Sequence, residues 1–246
     1  MKFRLISRVL GIGLIAFSFL QLTPIIFSIL YREDNILAFV YSFLITLTFG
    51  SFLYLVNFER KYEGIRVKEG FLLTVLLWLF FTIFATLPFI IGTKADISIV
   101  SAYFEATSGL TTTGATIYSD ISNEYQSILF YRGLLQWVGG LGIIVLAIAL
   151  MPLLGVGGMQ LYRGEAQGPI NQSKLRPKIA ETAKVLVYIY LTLTLLCFFS
   201  YFIAGMGYFD AVVHSFTTVA IGGFSNYDES FAFFNNNTIY ILAIIF

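Results

Sequence analysis

Four stretches of the chain are apolar over lengths that fit a bilayer: residues 9–31, 36–58, 70–92 and 185–205. A helix rises about 1.5 Å per residue, so about 20 apolar residues cross the hydrocarbon core. A fifth stretch, 127–152, carries Arg132 near its start and is otherwise apolar. The pattern predicts an all-α integral membrane protein with five spanning helices. A sixth apolar run, 238–246, is only nine residues long. It reaches less than half of a ~30 Å core, so the expectation is a chain that stops inside a span, as a fragment or truncated product would.

The polar segments between these runs give an orientation. Lys2, Arg4 and Arg8 precede the first run; Arg60, Lys61, Arg66 and Lys68 follow the second; Arg163, Lys174, Arg176, Lys178 and Lys184 follow the fifth. The other connections hold Arg32 and Lys94 among the acids Glu33, Asp34, Asp96, Asp120, Glu124, Asp228 and Glu229. The positive-inside rule places the N-terminus and the basic segments in the cytoplasm. Residues 93–126 then begin and end on the outer face. Yet they contain a short amphipathic-to-apolar stretch, Ile97–Leu110, followed by Thr111, Thr112, Thr113, Gly114 and Ala115. Such a stretch is too short to cross and suits a re-entrant half-helix. The same reasoning applies to Tyr208–Thr218, followed by Val219, Ala220, Ile221, Gly222, Gly223, Phe224 and Ser225.

A repeat emerges: span, half-helix, glycine-bearing loop, span. Aligning Gly114 on Gly222 gives an offset of 108 positions and sets Thr107 over Ser215. Both units enter from the cytoplasm, so the repeat is parallel. The predicted organisation is a two-helix N-terminal membrane hairpin at 1–69, a first span–loop–span repeat at 70–152, a cytoplasmic linker at 153–184 and a second, incomplete repeat at 185–246.

Composition agrees with a lipid solvent. Of 246 residues 58% are hydrophobic and 12% charged, against about 25% charged in soluble domains. Mean hydropathy is +0.83. A net charge of +1 gives no reason to expect a nucleic-acid partner. Cys197 is the single cysteine, so neither an intrachain disulfide nor a cysteine-based metal cluster is expected. The run after Lys2, Arg4 and Arg8 is too long for a cleavable signal peptide and reads as a retained span. No Ser/His/Asp, paired-carboxylate or metal-ligand arrangement stands out, and no enzymatic activity is expected.

Irregular backbone at membrane depth survives only where protein buries it or water reaches it. A half-helix aims its partly negative C-terminal end at the membrane centre, which favours a cation there. Backbone carbonyls of the following residues can replace a cation's water shell. Glycine suits such a strand because aligning successive carbonyls demands unusual φ.

The residues also resemble a known family. Glu105-Ala-Thr-Ser-Gly-Leu-Thr-Thr-Thr-Gly114-Ala and Phe216-Thr-Thr-Val-Ala-Ile-Gly222-Gly-Phe-Ser225 resemble the first two pore loops of the Trk/Ktr/HKT potassium transporters. So does Arg132-Gly-Leu-Leu-Gln-Trp137-Val-Gly-Gly140-Leu-Gly142 in the helix after the first loop. Two extra helices before the first repeat are similar to the TrkH/TrkG branch. The resemblance implies four repeats around one pore, of which this chain holds one and part of a second. It implies potassium uptake across the cytoplasmic (inner) membrane, with K+ as the transported ion and no covalently bound cofactor. Carried over by motif, the potassium-binding filter would comprise Thr111, Thr112, Thr113 and Gly114 with Ala220, Ile221, Gly222 and Gly223. The metal contacts proper would come from Thr112, Thr113, Ala220 and Ile221. Glycine rather than serine at position 114 goes with potassium preference in that family. The family further implies a homodimer in the lipid bilayer and a cytoplasmic nucleotide-binding, TrkA-like regulatory subunit, docked on 153–184.

Several residues have alternative readings. Thr111–Gly114 could form an ordinary external turn. Arg132 could support the pore or snorkel to the outer face. Glu105 suits a brace that accepts backbone hydrogen bonds, and Asp210 suits the N-terminal cap of the second half-helix. His214, the single histidine, reads as a buried hydrogen-bonded residue. Gly139, Gly140 and Gly142 suit close helix packing. Gly155-Val-Gly-Gly158 follows a helix, not a strand, and is no dinucleotide fingerprint. The Asn236 sequon is too common to imply glycosylation. The competing functions are a secondary solute transporter with broken helices and a non-transport membrane assembly protein.

Overall fold

A computed structural model describes residues 3–56, 67–154 and 172–246. All regular structure among the described residues is helical: α1 (Phe3–Leu20), α2 (Ile25–Leu30), α3 (Ile36–Val56), α4 (Val67–Ala85), α5 (Leu87–Gly92), α6 (Ile99–Leu110), α7 (Gln126–Leu154), α8 (Gln172–Ile203), α9 (Tyr208–Val219) and α10 (Asn237–Ile245), with 3-10 turns at Ile121–Asn123 and Ser230–Phe234. Among the described residues five stretches are long and apolar enough to cross a membrane: Phe3–Leu30, Ile36–Val56, Lys68–Gly92, Gln126–Ile144 and Glu181–Ile203. They coincide with the five predicted runs. The expected linker at 153–184 falls largely outside the described residues, as does Gly155–Gly158; α8 takes up its last part.

Two spans are broken rather than continuous, each at a proline. Pro24 lacks the N–H that would pair with Leu20 O; Thr23 N and Thr23 Oγ1 donate to that carbonyl instead, at 3.1 and 2.8 Å. Pro88 likewise strands Phe84 O, and Phe89 N turns to Thr86 O at 3.1 Å, which strands Ala85 O. Gln21 Nε2 donates to Phe84 O at 2.9 Å and Tyr131 OH to Ala85 O at 3.2 Å. In lipid each unpaired carbonyl would cost several kcal/mol. Two polar side chains from α7 and the α1–α2 junction thus make the kink tolerable.

Small residues and one polar knot hold the helices together. A Cβ at Gly11 would sit 2.7 Å from Gly50 O, so α1 and α3 touch backbone to backbone. Such approach is how membrane helices gain dispersion contact. Asn35 accepts from Ser28 Oγ at 2.9 Å and donates to Gly92 O at 3.0 Å and Ser127 Oγ at 2.9 Å. It thereby joins the ends of α2 and α5 to the start of α7. Leu14, Phe39, Phe89, Ile128 and Leu135 are fully buried around this frame. Phe52 and Leu55 of α3 and Leu195, Phe199 and Ile203 of α8 stay exposed, as a lipid-facing surface requires.

Candidate functional site: two half-helices with facing loops

The two half-helix candidates correspond to α6 and α9, each 12 residues long. Ser98 caps α6 by accepting from Ser101 N at 3.1 Å; α9 starts at Gly207 with no side-chain cap. Their C-terminal ends carry the same hydrogen bonds. Thr111 N donates to Thr107 O, Thr112 N to Gly109 O and Thr113 N to Ser108 O, at 2.9, 3.0 and 2.9 Å. Ala220 N donates to Phe216 O, Ile221 N to Thr218 O and Gly222 N to Thr217 O, at 3.1, 2.9 and 2.8 Å. The backbone then enters the left-handed region at alternate residues: φ is +53° at Thr112 and +78° at Gly114, +54° at Ile221 and +82° at Gly223.

These pairs correct the repeat register. Gly114 corresponds to Gly223, and Thr113 to Gly222, an offset of 109 rather than 108. Aligning glycine on glycine chose the first of two adjacent glycines, whereas the backbone conformation selects the second. The correction separates two reasons for glycine. Gly114 and Gly223 have positive φ, which disfavours a Cβ. Gly222 does not; there a Cβ would run into the Gln136 side-chain amide.

The loops lie against each other, since a Cβ at Gly114 would overlap the Gly222 carbonyl oxygen. Among the described residues no donor pairs with the carbonyls of Thr111, Thr112, Thr113, Gly114, Ala220, Ile221 or Gly223. Gly222 differs: its carbonyl accepts from Gln136 Nε2 at 2.7 Å. Ile221 is 86% exposed, an apolar side chain beside free backbone oxygens.

Behind the loops the side chains form two matched braces. In the first, Glu105 accepts from Ile117 N at 3.0 Å and from Thr116 Oγ1 at 3.0 and 3.1 Å. Arg132 Nε donates to Glu105 Oε1 at 2.7 Å, with side chains 1% and 0% exposed. In the second, His214 and Ser225 occupy the equivalent places. His214 Nε2 lies 3.2 Å from Ser225 Oγ, and His214 Nδ1 2.9 Å from Asp210 O. A carbonyl only accepts, so Nδ1 carries the proton toward it. Thr116 Oγ1 accepts from Tyr118 N and Ser225 Oγ from Tyr227 N, at 3.2 and 3.1 Å. Arg132 also reaches the second loop: Nη1 donates to Ser225 O at 3.0 Å, and the guanidinium stacks 4.1 Å from the Phe224 ring.

The remaining predicted residues fall as follows. Arg132 is buried and ion-paired with Glu105, not snorkelling, and Glu105 also accepts the Ile117 N–H. Asp210 sits in the first turn of α9, but the cap position belongs to Gly207. Its carboxylate instead accepts from Asn226 Nδ2 at 2.8 Å and Tyr227 OH at 3.0 Å, tying the start of the half-helix to the chain after the loop. Gly139 and Gly140 let α7 pass the ends of both half-helices. A Cβ at Gly139 would collide with Leu110 O, and one at Gly140 would lie 3.2 Å from Ala220 Cβ. Gly142 has open space beside it. Asn236 caps α10, its Oδ1 accepting from Thr238 N at 2.9 Å. Gln136, Thr116 and Ser225 were not singled out from sequence. Gln136 carried the clearest signal, a polar side chain inside an apolar run.

Past the two loops the second unit reaches back to the first. Asp228 accepts from Ile121 N at 2.9 Å and Ser122 Oγ at 2.9 Å. The Ile121 N–H and then the Ser122 hydroxyl hold this carboxyl below its ordinary range.

The family model described as TrkH, a cation transport protein, matches residues 35–246. The Trk system potassium uptake protein TrkH of Vibrio parahaemolyticus is 46% identical over 246 residues, 100% of this chain and 50% of that protein. TrkH of Escherichia coli K12 is 47% identical over 100% of this chain and 51% of its own length. TrkG of the same organism is 36% identical over 98% of this chain and 49% of its own. The crystal structure of the potassium transporter TrkH from Vibrio parahaemolyticus superposes with a TM-score of 0.86 at 42% identity, covering 100% of this chain and 49% of that one. The chain spans about half the length of the relatives it matches. With the family model matching most of the sequence and the fold repeated in a solved relative, this chain belongs to the TrkH family of cation transport proteins.

Proposed function

We propose that this chain supplies part of the ion path of a potassium uptake system in the cytoplasmic (inner) membrane, with the two loops contributing backbone carbonyls as ligands. The observation that carries this reading is the row of unpaired carbonyls at Thr111–Gly114 and at Ala220, Ile221 and Gly223. At membrane depth a backbone carbonyl without a partner is costly, and a desolvated cation is a partner that such carbonyls suit. The C-terminal ends of α6 and α9 add negative potential at the same place. Thr112, Thr113, Ala220 and Ile221 are the principal ligands in this reading. Glu105, Arg132 and Asp210 support them from behind. The relatives' name, potassium uptake protein, supports potassium as the ion.

The basic segments set the N-terminus in the cytoplasm. The working assembly is a homodimer in the bilayer with a nucleotide-binding, TrkA-like regulator on the cytoplasmic side, and no resident cofactor is needed. Substituting Gly114 by serine tests the reading. A serine side chain there overlaps the Gly222 carbonyl and strains a positive φ. In the complete polypeptide that carries this chain, reconstituted in liposomes, G114S is expected to raise sodium permeability relative to potassium. Unchanged selectivity would remove the filter assignment.

A further inference from the structure

The two braces, built on Glu105 and His214, explain how each loop is held beyond its glycines. They do not explain what fixes the peptide planes at the filter itself. One side chain reaches that point. Gln136 is fully buried on α7, one turn beyond Arg132. Its amide nitrogen donates to Gly222 O at 2.7 Å and its amide oxygen accepts from Phe224 N at 3.1 Å. The two bonds grip the second loop on either side of Gly223, one of the two loop positions with positive φ. The side chain also occupies the space where a Cβ of residue 222 would be. Gly222 and Gln136 are therefore a matched pair: the missing side chain admits the amide, and the amide replaces the restraint a side chain would give.

We propose that Gln136 is a specificity-determining positioning residue, which orients the Gly222 peptide and so sets the direction of the free Ile221 and Gly223 carbonyls. The inference rests on the carbonyl-ligand reading above and adds the group that enforces it. A glycine peptide without such an anchor rotates easily. Selectivity among cations depends on the number and rigidity of the carbonyls presented, so release of this anchor should blunt discrimination before it abolishes flux. The first loop has no equivalent need. There residue 113 is a threonine, and the Thr113 hydroxyl pairs with Thr111 Oγ1 at 2.8 Å. The anchor also crosses between units, because α7 belongs to the first repeat and Gly222 to the second.

The test uses Gln136→Met, which keeps the length of the side chain but removes donor and acceptor, and Gln136→Leu as a second apolar variant. Both are made in the complete polypeptide and reconstituted in liposomes. Potassium-to-sodium permeability ratio is the readout, normalised to folded protein, because a purely structural defect lowers both fluxes together. The substitution removes two hydrogen bonds, each worth up to about tenfold in an equilibrium, so the ratio is expected to fall by roughly threefold to a hundredfold with total flux retained. A double substitution sharpens the result: Gly222→Ala alone should misfold, whereas Gly222→Ala with Gln136→Ala should accumulate but discriminate poorly. A selective parent with equally selective Q136M and Q136L overturns this inference alone. A parent without potassium-selective flux overturns the underlying reading and this inference together.

Discussion

The two half-helix units, 99–118 and 208–227, share a backbone and differ in the chemistry that holds it. Helix length, terminal hydrogen bonds and the alternating positive φ values agree residue for residue at an offset of 109. The anchoring side chains do not. The first loop is tied to a buried ion pair, Glu105–Arg132, and the second to a neutral His214–Ser225 contact. A feature that persists while its supports change is the feature under demand. Here that feature is the direction of peptide groups, not any side chain, which is what a backbone-ligand site requires. The difference has an energetic side as well. A buried carboxylate needs its cation, whereas a neutral imidazole–hydroxyl pair can be lost at the cost of one or two hydrogen bonds.

That asymmetry can be broken from either end. The largest effect should follow Arg132→Met, which leaves Glu105 buried without its partner and Ser225 O without its donor. A cost of about 3–5 kcal/mol is expected for stranding one member of a buried pair. It should appear as a marked fall in the thermal midpoint in detergent and in recovered protein. Retention of wild-type stability would mean that the pair is not the anchor of the first loop. His214→Leu should cost less, on the order of 1–3 kcal/mol, since it removes contacts to Asp210 O and Ser225 Oγ but strands no charge. If it matched or exceeded Arg132→Met in the same assay, the contrast between ionic and neutral braces would be wrong.

The smallest effect concerns the Asp228 tie between the units. Asp228 is exposed, and its carboxyl is held below the ordinary value of 3.8 by the Ile121 N–H and the Ser122 hydroxyl. A lowered folded-state value means that its stabilisation is present above the ordinary aspartate range and lost as pH falls through the lowered one. Thermal midpoints of wild type and Asp228→Asn should therefore differ slightly at neutral pH and converge on acidification below about pH 4. Parallel curves would show that this tie carries no stability.

Much of this architecture could be read from residue pattern alone. Apolar run lengths gave all five spans, and the stretch between the third and fourth of them read as too short to cross and folds as the 12-residue α6. Glu105 and Arg132 stood out because charges are rare in such runs. What escaped has a common cause: it depends on which groups meet across the fold. The breaks at Pro24 and Pro88 were not read from the sequence, and nothing local pointed to Gln21 and Tyr131 as partners of the freed carbonyls. Asp210 looked like a cap because of its place in the first turn, whereas its partners, Asn226 and Tyr227, come from beyond the loop. The one-residue register error arose because two adjacent glycines are indistinguishable as letters and distinct only by φ. Gln136 was not singled out, and its role emerges only where Gly222 lies beside it.

The most direct test of the central claim is where a permeant ion sits. Crystals of the complete polypeptide soaked in rubidium, collected at the rubidium absorption edge, would show the ion by its anomalous scattering. The account predicts a peak between the two loops, within coordination distance of carbonyl oxygens of Thr112, Thr113, Ala220 and Ile221 and remote from any carboxylate. A peak held instead by side chains such as Asp210 or Glu105, with none at the loops, would contradict it.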